Sequence, residues 1–313
     1  MEKRYPSCIL ASCCIPWDAD YSIMEPLFRE EIRGVVKETP HVYILGTAGE
    51  GYALSDSQFD RVVKIFNEEM RAAGAEPMVG LISLASSTLT ERLERCLALD
   101  IKHFQISLPS WGALSDKEMQ TFFKMTCGAY PEAGFLHYNL ERARRLIQPE
   151  EYQQLEEQYP NLIATKITTD SIRYIGQLMD KSTHLQHFFT DMGYLYAAMV
   201  GECGLLISMA CCNWETAHEY VDAVISRDFE KAIRLQHSLV QFNGDFRKII
   251  AQYGQGAHID GAYDKLYIKM QLPDFPLRLA PPYSDAGDGA FIALLEVLKQ
   301  KYPQWYPNQL RQL

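Results

Sequence analysis

The 313-residue sequence lacks the features that mark several classes of protein. It has no apolar run approaching 18 residues, so we expect no membrane span. Its 30 lysines and arginines are outnumbered by 40 acidic residues and form no extended cluster, which argues against a nucleic-acid partner. It contains no HExxH, GxSxG or Walker sequence, and the eight histidines have no metal-ligand spacing. We therefore expect neither a metal nor a cofactor.

The eight cysteines lack the spacing of a disulfide framework or a zinc site. None forms a CxxC pair, and most lie in apolar, strand-like runs. Free buried thiols of this kind are typical of a reducing compartment, so we expect a cytoplasmic protein. The apolar run Cys8–Ile15 ends at Pro16, and its short length favours a first core strand over a signal peptide.

Strand-like and helix-like segments alternate along residues 1–227. The eight apolar runs predicted as strands are Cys8–Ile15, His41–Leu45, Met78–Ser83, His103–Leu108, Ala133–Tyr138, Leu162–Thr168, Gln186–Thr190 and Cys203–Met209. A helical pattern follows each run, and this alternation indicates a parallel sheet covered by helices. Eight such units predict an α/β fold closed as a (β/α)8, or TIM, barrel.

The alternation stops after residue 227. Residues 228–313 contain four helix-like segments separated by proline and glycine, namely Phe229–Phe242, Arg247–Tyr253, Ala262–Met270 and Ala290–Lys301. We expect a catalytic barrel domain over residues 1–227 and a small C-terminal helical appendage over residues 228–313.

Catalytic residues of such a barrel lie at the C-terminal ends of its strands. The sixth predicted strand carries Lys166 there, and burying an ammonium is costly unless it is paired or neutral. One interpretation is a lysine whose amine reaches out to solvent. The other is an amine with a lowered pKa that forms a Schiff base with a carbonyl substrate.

The ends of other strands carry candidates that also have structural alternatives. The glycines of Gly46–Gly51 allow successive N–H groups to point at a carboxylate, or they form a plain turn. Tyr138 is either an acid–base group or a packed residue at the rim of the barrel. Trp111 follows the fourth strand and Thr190 the seventh.

Three of these segments together resemble a known family. Gly46-Thr47-Ala48-Gly49-Glu50, Tyr138-Asn139 and Ala164-Thr165-Lys166 have the order and spacing of the dihydrodipicolinate synthase / N-acetylneuraminate lyase (DapA-like) family of class I aldolases. The resemblance implies that Lys166 condenses with a 2-oxo acid such as pyruvate and that Tyr138 shuttles protons. It also implies a catalytic hydroxyl on Thr47, and N–H groups of Thr47 and Ala48 that hold the substrate carboxylate.

The chain also departs from the family pattern. Ala48 replaces a threonine, Ser110-Trp111 replaces a pair of tyrosines, and Ala143 occupies the register of an arginine. These differences imply a substrate other than that of true dihydrodipicolinate synthases.

We expect the contacts to that substrate to come from residues near the altered positions. Trp111 is expected to form an apolar wall near Lys166. Arg142 or Arg144 is predicted to supply the cation for a distal carboxylate, and Thr190 a further contact. The alternative is that Trp111, Arg142 and Arg144 all point outward and that their loop packs on the rim of the barrel.

The sequence therefore predicts a class I lyase, either an aldolase or a dehydratase, that acts on a 2-oxo acid, with an aldehyde as the candidate second substrate. The alternative is a catalytically lapsed barrel that binds a 2-oxo acid or has a regulatory role. The resemblance further implies a homotetramer built as a dimer of dimers.

Overall fold

The computed structural model describes residues 2–312, so the outermost residue of each predicted domain lies outside it. Eight parallel strands pair in chain order over this range. They are β1 (Ala11–Ser12), β2 (Val42–Ile44), β3 (Met78–Gly80), β4 (His103–Ile106), β5 (Gly134–Asn139), β6 (Leu162–Ile167), β7 (Gln186–Phe189) and β8 (Gly204–Leu205). The N–H of Leu10 donates to the carbonyl oxygen of Leu205 at 2.9 Å, which joins the last strand to the first. The curled sheet is thereby closed into a barrel.

Eight helices follow the strands and cover the outside of the sheet. They are α1 (Glu25–Glu38), α2 (Asp56–Ala72), α3 (Ser86–Leu97), α4 (Asp116–Phe123), α5 (Pro149–Gln158), α6 (Ile172–Lys181), α7 (Asp191–Val200) and α8 (Trp214–Ile225). A capping box begins α2: the Ser55 side chain accepts from the Gln58 N–H, and the Gln58 side chain accepts from the Ser55 N–H.

Alternate residues of the strands fill the interior of the barrel, because successive side chains of a strand point to opposite faces. Tyr43, Leu136, Ala164 and Phe188 belong to one buried cluster there. The register pairs Tyr138 with Lys166 on neighbouring strands, each two residues beyond an interior side chain. Both residues therefore point into the barrel at its C-terminal end.

Three further helices follow the barrel: α9 (Phe229–Tyr253), α10 (Asp260–Gln271) and α11 (Gly287–Lys301). The sequence predicted two helices where α9 is continuous, and that prediction is wrong. The buried residues Phe242, Phe246 and Ile249 continue one apolar stripe across the supposed break. Gly244 lies within this helix, and a Cβ atom added there would have no other atom within 4 Å. The packing of the apolar stripe therefore outweighs the low helix propensity of this glycine.

A buried ion pair connects the C-terminal helices to the barrel. Lys265 Nζ on α10 lies 2.6 Å from Glu50 Oε1 in the loop after β2, and neither side chain has any exposed surface. The same Glu50 oxygen accepts from the Trp17 indole at 3.1 Å, and Lys265 also donates to the carbonyl oxygen of Arg278 at 2.5 Å. The ion pair thus holds α10 against the loop after β2. Among residues 2–312, no helix has both the length and the hydropathy needed to cross a membrane.

Candidate active site

Lys166 lies at the floor of the C-terminal mouth of the barrel and is only 5% exposed. Its Nζ donates a hydrogen bond of 2.9 Å to Tyr43 Oη, and it lies 3.9 Å from the centre of the Tyr138 ring. The amine is therefore held between two phenols. The interpretation in which Lys166 reaches solvent is contradicted by its burial.

Burial lowers the pKa of Lys166 and is the largest single influence on it, but its neighbours outweigh burial. Tyr138 and Tyr43 interact electrostatically with the ammonium, Tyr43 also accepts its hydrogen bond, and Asp260 adds a more distant negative charge. The net pKa of Lys166 is raised. This direction is opposite to the lowered pKa that the sequence-based interpretation assigned to the amine.

Tyr43 is a site residue that the sequence analysis missed. It lies in the middle of β2, and burial raises the pKa of its phenol, so the group is neutral at pH 7. A Cβ atom at Gly46 would lie 2.6 Å from Tyr43 Cε2, which explains why a glycine must follow this strand. The alternation of inward residues along β2 was the available signal, because it places Tyr43 on the same face as the barrel core.

The glycine loop after β2 is the segment in which the sequence predicts a carboxylate cradle. Thr47 and Ala48 are both buried, and Ala48 lines the cavity above Lys166. Within residues 2–312, neither of their N–H groups donates to a backbone carbonyl, so both are available to an anion. Glu50, at the end of the loop, is committed to its pairing with Lys265.

The cavity above Lys166 has a volume of about 990 Å³ and is rich in charged groups. Its basic side chains are those of Arg142, Lys166 and Arg247, and its acidic ones those of Glu141, Asp170, Asp191, Asp260 and Asp264. Thr190, which precedes α7, also lines it. Such a lining is suited to a polar substrate, since carboxylates and guanidinium groups bind hydroxyl and carboxylate groups.

The two predicted arginines differ in position. Arg142 lines the cavity, but its Nη2 lies 2.9 Å from Asp260 Oδ1 on α10, and this contact raises the pKa of the guanidinium. Arg144 is exposed and is not among the residues that line the cavity. Arg247 on α9 also lines it and makes no ion pair among the described residues. Of the two arginines expected to supply the cation for a distal carboxylate, only Arg142 lines the cavity, and α9 supplies Arg247 as a further candidate.

Trp111 is not brought to the site. Its side chain is 83% exposed and does not line the cavity. Strand β4 ends at Ile106, Leu108 is buried, and Pro109 then leads the chain into an exposed turn. The expectation that Trp111 forms an apolar wall beside Lys166 within the same chain is thus corrected.

Asn139 fixes the loop that carries Arg142. Its Nδ2 donates to the carbonyl oxygen of Ile147 at 3.0 Å, and its Oδ1 accepts from the Ile147 N–H at 3.0 Å. Both ends of the amide are therefore used to close the loop that begins directly after β5. This places Arg142 at the rim next to Tyr138.

Asp264 on α10 is the most buried acidic residue of the cavity, and the sequence analysis missed it. Burial, and next the neighbouring Asp260 carboxylate, raise the pKa of Asp264 to about 7, although a hydrogen bond with Ser208 and the charge of Lys166 act in the opposite direction. Asp260 and Asp264 are four residues apart and share one face of the helix. That spacing indicates an acidic face of the helix, but only the packing of α10 shows that this face points into the mouth of the barrel.

The buried histidines near the site are explained by packing. Burial lowers the pKa of His137 and of His187 to about 3, so both rings are neutral. His137 Nδ1 lies 2.7 Å from Tyr152 Oη, and His187 Nδ1 lies 2.7 Å from Thr165 Oγ1. In the part of the chain that the structure describes, no three histidine, cysteine or acidic side chains are grouped to hold a metal ion.

No protein-family model matches the chain. The chain is 22% identical over 303 residues to an uncharacterized DapA-like lyase of Pyrococcus furiosus, which covers 93% of this chain and 96% of that protein. A similarly described DapA-like lyase of Thermococcus kodakarensis is 22% identical over 304 residues, with 93% and 99% covered.

Two solved structures share the fold. The N-acetylneuraminate lyase of Proteus mirabilis superposes with a TM-score of 0.80 at 17% identity, covering 94% of this chain and 98% of that one. The prophage protein YagE from E. coli K12, of the dihydrodipicolinic acid synthase family and in complex with pyruvate, has a TM-score of 0.80 at 15% identity. It covers 93% of this chain and 98% of that one.

Proposed function

We propose that this chain is a lyase that joins Lys166 to a 2-oxo acid as a Schiff base. The chain is similar to DapA-like lyases along nearly its whole length, as its motifs predicted. The observation that carries the proposal is the buried Lys166 amine, held between Tyr43 and Tyr138 at the floor of a cavity. Pyruvate is the acid we propose, because YagE, which has the same fold, binds it.

The residues of the mouth can carry out the steps of imine formation. The amine must lose its proton before its lone pair attacks the C2 carbonyl of the acid, and loss of water then leaves an iminium. Tyr138, with its ring 3.9 Å from Nζ, is placed to move these protons. We propose that Thr47 contributes its hydroxyl, and that the N–H groups of Thr47 and Ala48 bind the carboxylate.

Borohydride reduction in the presence of pyruvate tests the proposal. It converts the imine to a stable secondary amine, which intact mass detects and peptide mapping assigns to a residue. An adduct on Lys166 supports the lyase. A protein that gives no adduct with any 2-oxo acid would be the lapsed barrel. The homotetramer, the cytoplasmic location and the domain boundary after residue 227 stay predictions.

The raised pKa of Lys166 predicts a pH dependence for adduct formation. Below that pKa most of the amine is protonated and cannot attack, so the rate of adduct formation should rise by roughly tenfold per pH unit across the neutral range. The measurement is the rate of trapping by cyanoborohydride at fixed pyruvate between pH 6 and 9. A rate that is flat over this range would show that the amine is already neutral.

The charged lining also indicates how the rest of the substrate is held. Arg142 is neutralised by Asp260, whereas Arg247 has no ion pair among residues 2–312. For a substrate with an anionic distal group, we expect Arg247→Gln to raise KM by about 10- to 100-fold with little change in kcat. Arg142→Gln is the matched comparison, and its effect should be smaller. The reverse order of effects would assign the anion to Arg142.

A further inference from the structure

Asp264 reaches the cavity from outside the (β/α) units. It is 8% exposed and lies on α10, where it lines the large cavity above Lys166. It also lines a second, small cavity of about 10 Å³ at the ends of β1 and β8, together with Ser12 and Ser208. That volume is close to the space needed for a single water molecule. The carboxyl therefore lies between the substrate cavity and a small pocket whose lining is mostly apolar, with Ser12 and Ser208 as its other polar side chains.

Asp264 and Tyr138 approach Lys166 from different sides. Tyr138 is on β5, which neighbours the strand of Lys166. Asp264 enters where β8 meets β1, and in a closed ring of eight strands β1 lies opposite β5. The Asp264 charge acts on both Lys166 and Tyr43, the residue that accepts the lysine hydrogen bond. A substrate bound to Lys166 would therefore have a phenol on one side and a carboxyl on the other.

We propose that Asp264 is a second acid–base residue of this site, and that it moves the proton of the substrate carbon next to the imine carbon. The inference rests on the proposed function, because it needs the imine on Lys166. It extends the catalytic machinery from the barrel strands to the C-terminal helices.

The step balances without any further reactant. In the iminium formed from pyruvate and Lys166, the Asp264 carboxylate takes a proton from C3, the C–H electron pair becomes the C2–C3 double bond, and the π pair of the C2=N bond moves onto the positively charged nitrogen. The product is an enamine and a neutral carboxyl group. In the cleavage direction the enamine takes the proton back from Asp264, and the carboxylate is restored.

Other acidic groups of the cavity are less suited to this step. Asp260 is paired with Arg142, and Asp191 is only partly buried. Asp170 and Glu141 are exposed at the rim. Among the acidic residues that line the cavity, Asp264 is the buried one, and a general base is most effective when desolvated and near the reacting carbon.

The groups around Asp264 bring the pKa of its carboxyl into the range where it can exchange protons at neutral pH. The charged and titratable groups that act on it or respond to it are Asp260 and Tyr267 on α10, Lys166 on β6, Tyr43 on β2, Cys14 after β1 and Cys211 after β8. With a pKa of about 7, the carboxyl is half ionised at neutral pH and can both accept and donate a proton. The base form dominates above that pH, so proton removal should increase as the pH rises through it.

The test separates imine formation from proton transfer. Wild-type protein and Asp264→Asn are incubated with saturating pyruvate in D2O, and the loss of the methyl signal is followed by proton NMR. Borohydride trapping of parallel samples measures the fraction of protein that carries the adduct. We expect Asp264→Asn to form the adduct in wild-type yield but to exchange the methyl hydrogens about 100-fold more slowly.

The pH profile provides a readout that a purely structural role would not change. Wild-type exchange per adduct should rise with a midpoint near 7, and this rise should be absent in Asp264→Asn. In Asp260→Asn the rise should remain but move to lower pH, because the Asp260 charge raises the pKa of Asp264. This second variant tests the inference even if Asp264→Asn is unstable.

Three results would overturn the inference. Methyl exchange at an unchanged rate in Asp264→Asn would assign the carbon proton to another group. Failure of Asp264→Asn alone to form the adduct would move Asp264 to the imine step. A wild-type protein without any adduct would refute the proposed function itself, and the inference with it.

Discussion

Lys166→Ala is expected to abolish the borohydride-trappable pyruvate adduct completely. Lys166 is the amine buried at the floor of the cavity, and its removal leaves Tyr43 and Tyr138 without a nucleophile between them. The fold should be retained, because the change removes a buried charge and leaves only a modest cavity next to an existing one. Far-UV circular dichroism and the thermal midpoint check the fold, and intact mass checks the adduct.

Lys181→Ala is the matched control for this experiment. Lys181 ends α6, and its amine lies 3.5 Å from Glu150 in a partly exposed ion pair. The Lys181→Ala variant should form the adduct in the same yield as the wild type, because ion pairs at the surface contribute little to the stability of the fold. An adduct that survives in Lys166→Ala would place the chemistry on another amine and would refute the proposed role of Lys166.

Lys265→Met should destabilise the protein by about 3–5 kcal/mol, since it leaves the Glu50 carboxylate buried without its cation. Glu50 would keep its hydrogen bonds from Trp17 and Ala280, but these are dipoles and do not neutralise its charge. For a chain of this length, that loss lowers the melting temperature by at least roughly 5 °C. Calorimetry, or chemical unfolding where it is reversible, measures the change.

The double variant Glu50→Gln/Lys265→Met identifies the cause. It removes both charges, so it should recover part of the stability lost in Lys265→Met. Lys231→Met provides the surface comparison, because Lys231 pairs with Glu219 at 3.1 Å on partly exposed side chains and should cost less than about 1 kcal/mol. Equal losses in Lys265→Met and Lys231→Met would show that burial of the Glu50 pair does not matter.

The residues that could be predicted from the sequence lie on regular strands. Lys166 and Tyr138 end apolar runs, and strand periodicity is enough to place both in the mouth of the barrel. The order of eight strand-then-helix units likewise predicts the parallel sheet that is observed. In these places local pattern and global fold agree, so the inference from one to the other is direct.

The residues that could not be predicted depend on contacts between distant segments. Arg247 and Asp264 reach the cavity because α9 and α10 pack over the mouth, and no local pattern specifies that packing. The predicted position of Trp111 is wrong for a related reason, since the path of an exposed turn depends on its surroundings more than on its sequence. The raised pKa of Lys166 results first from Tyr138 on the neighbouring strand and then from Tyr43, which lies more than one hundred residues earlier in the chain.

The pairing of Glu50 with Lys265 has a consequence for the order in which parts of the protein fold during synthesis. The two residues are 215 positions apart, so the carboxylate of the glycine loop leaves the ribosome long before its cation. Until α10 has been synthesised and packed, the loop that carries Thr47 and Ala48 cannot take its final buried position without burying the unpaired charge of Glu50. A nascent chain that already has all eight strands should therefore still lack a binding site. Ribosome-bound chains stopped before and after residue 265 should differ in the protease protection of this loop.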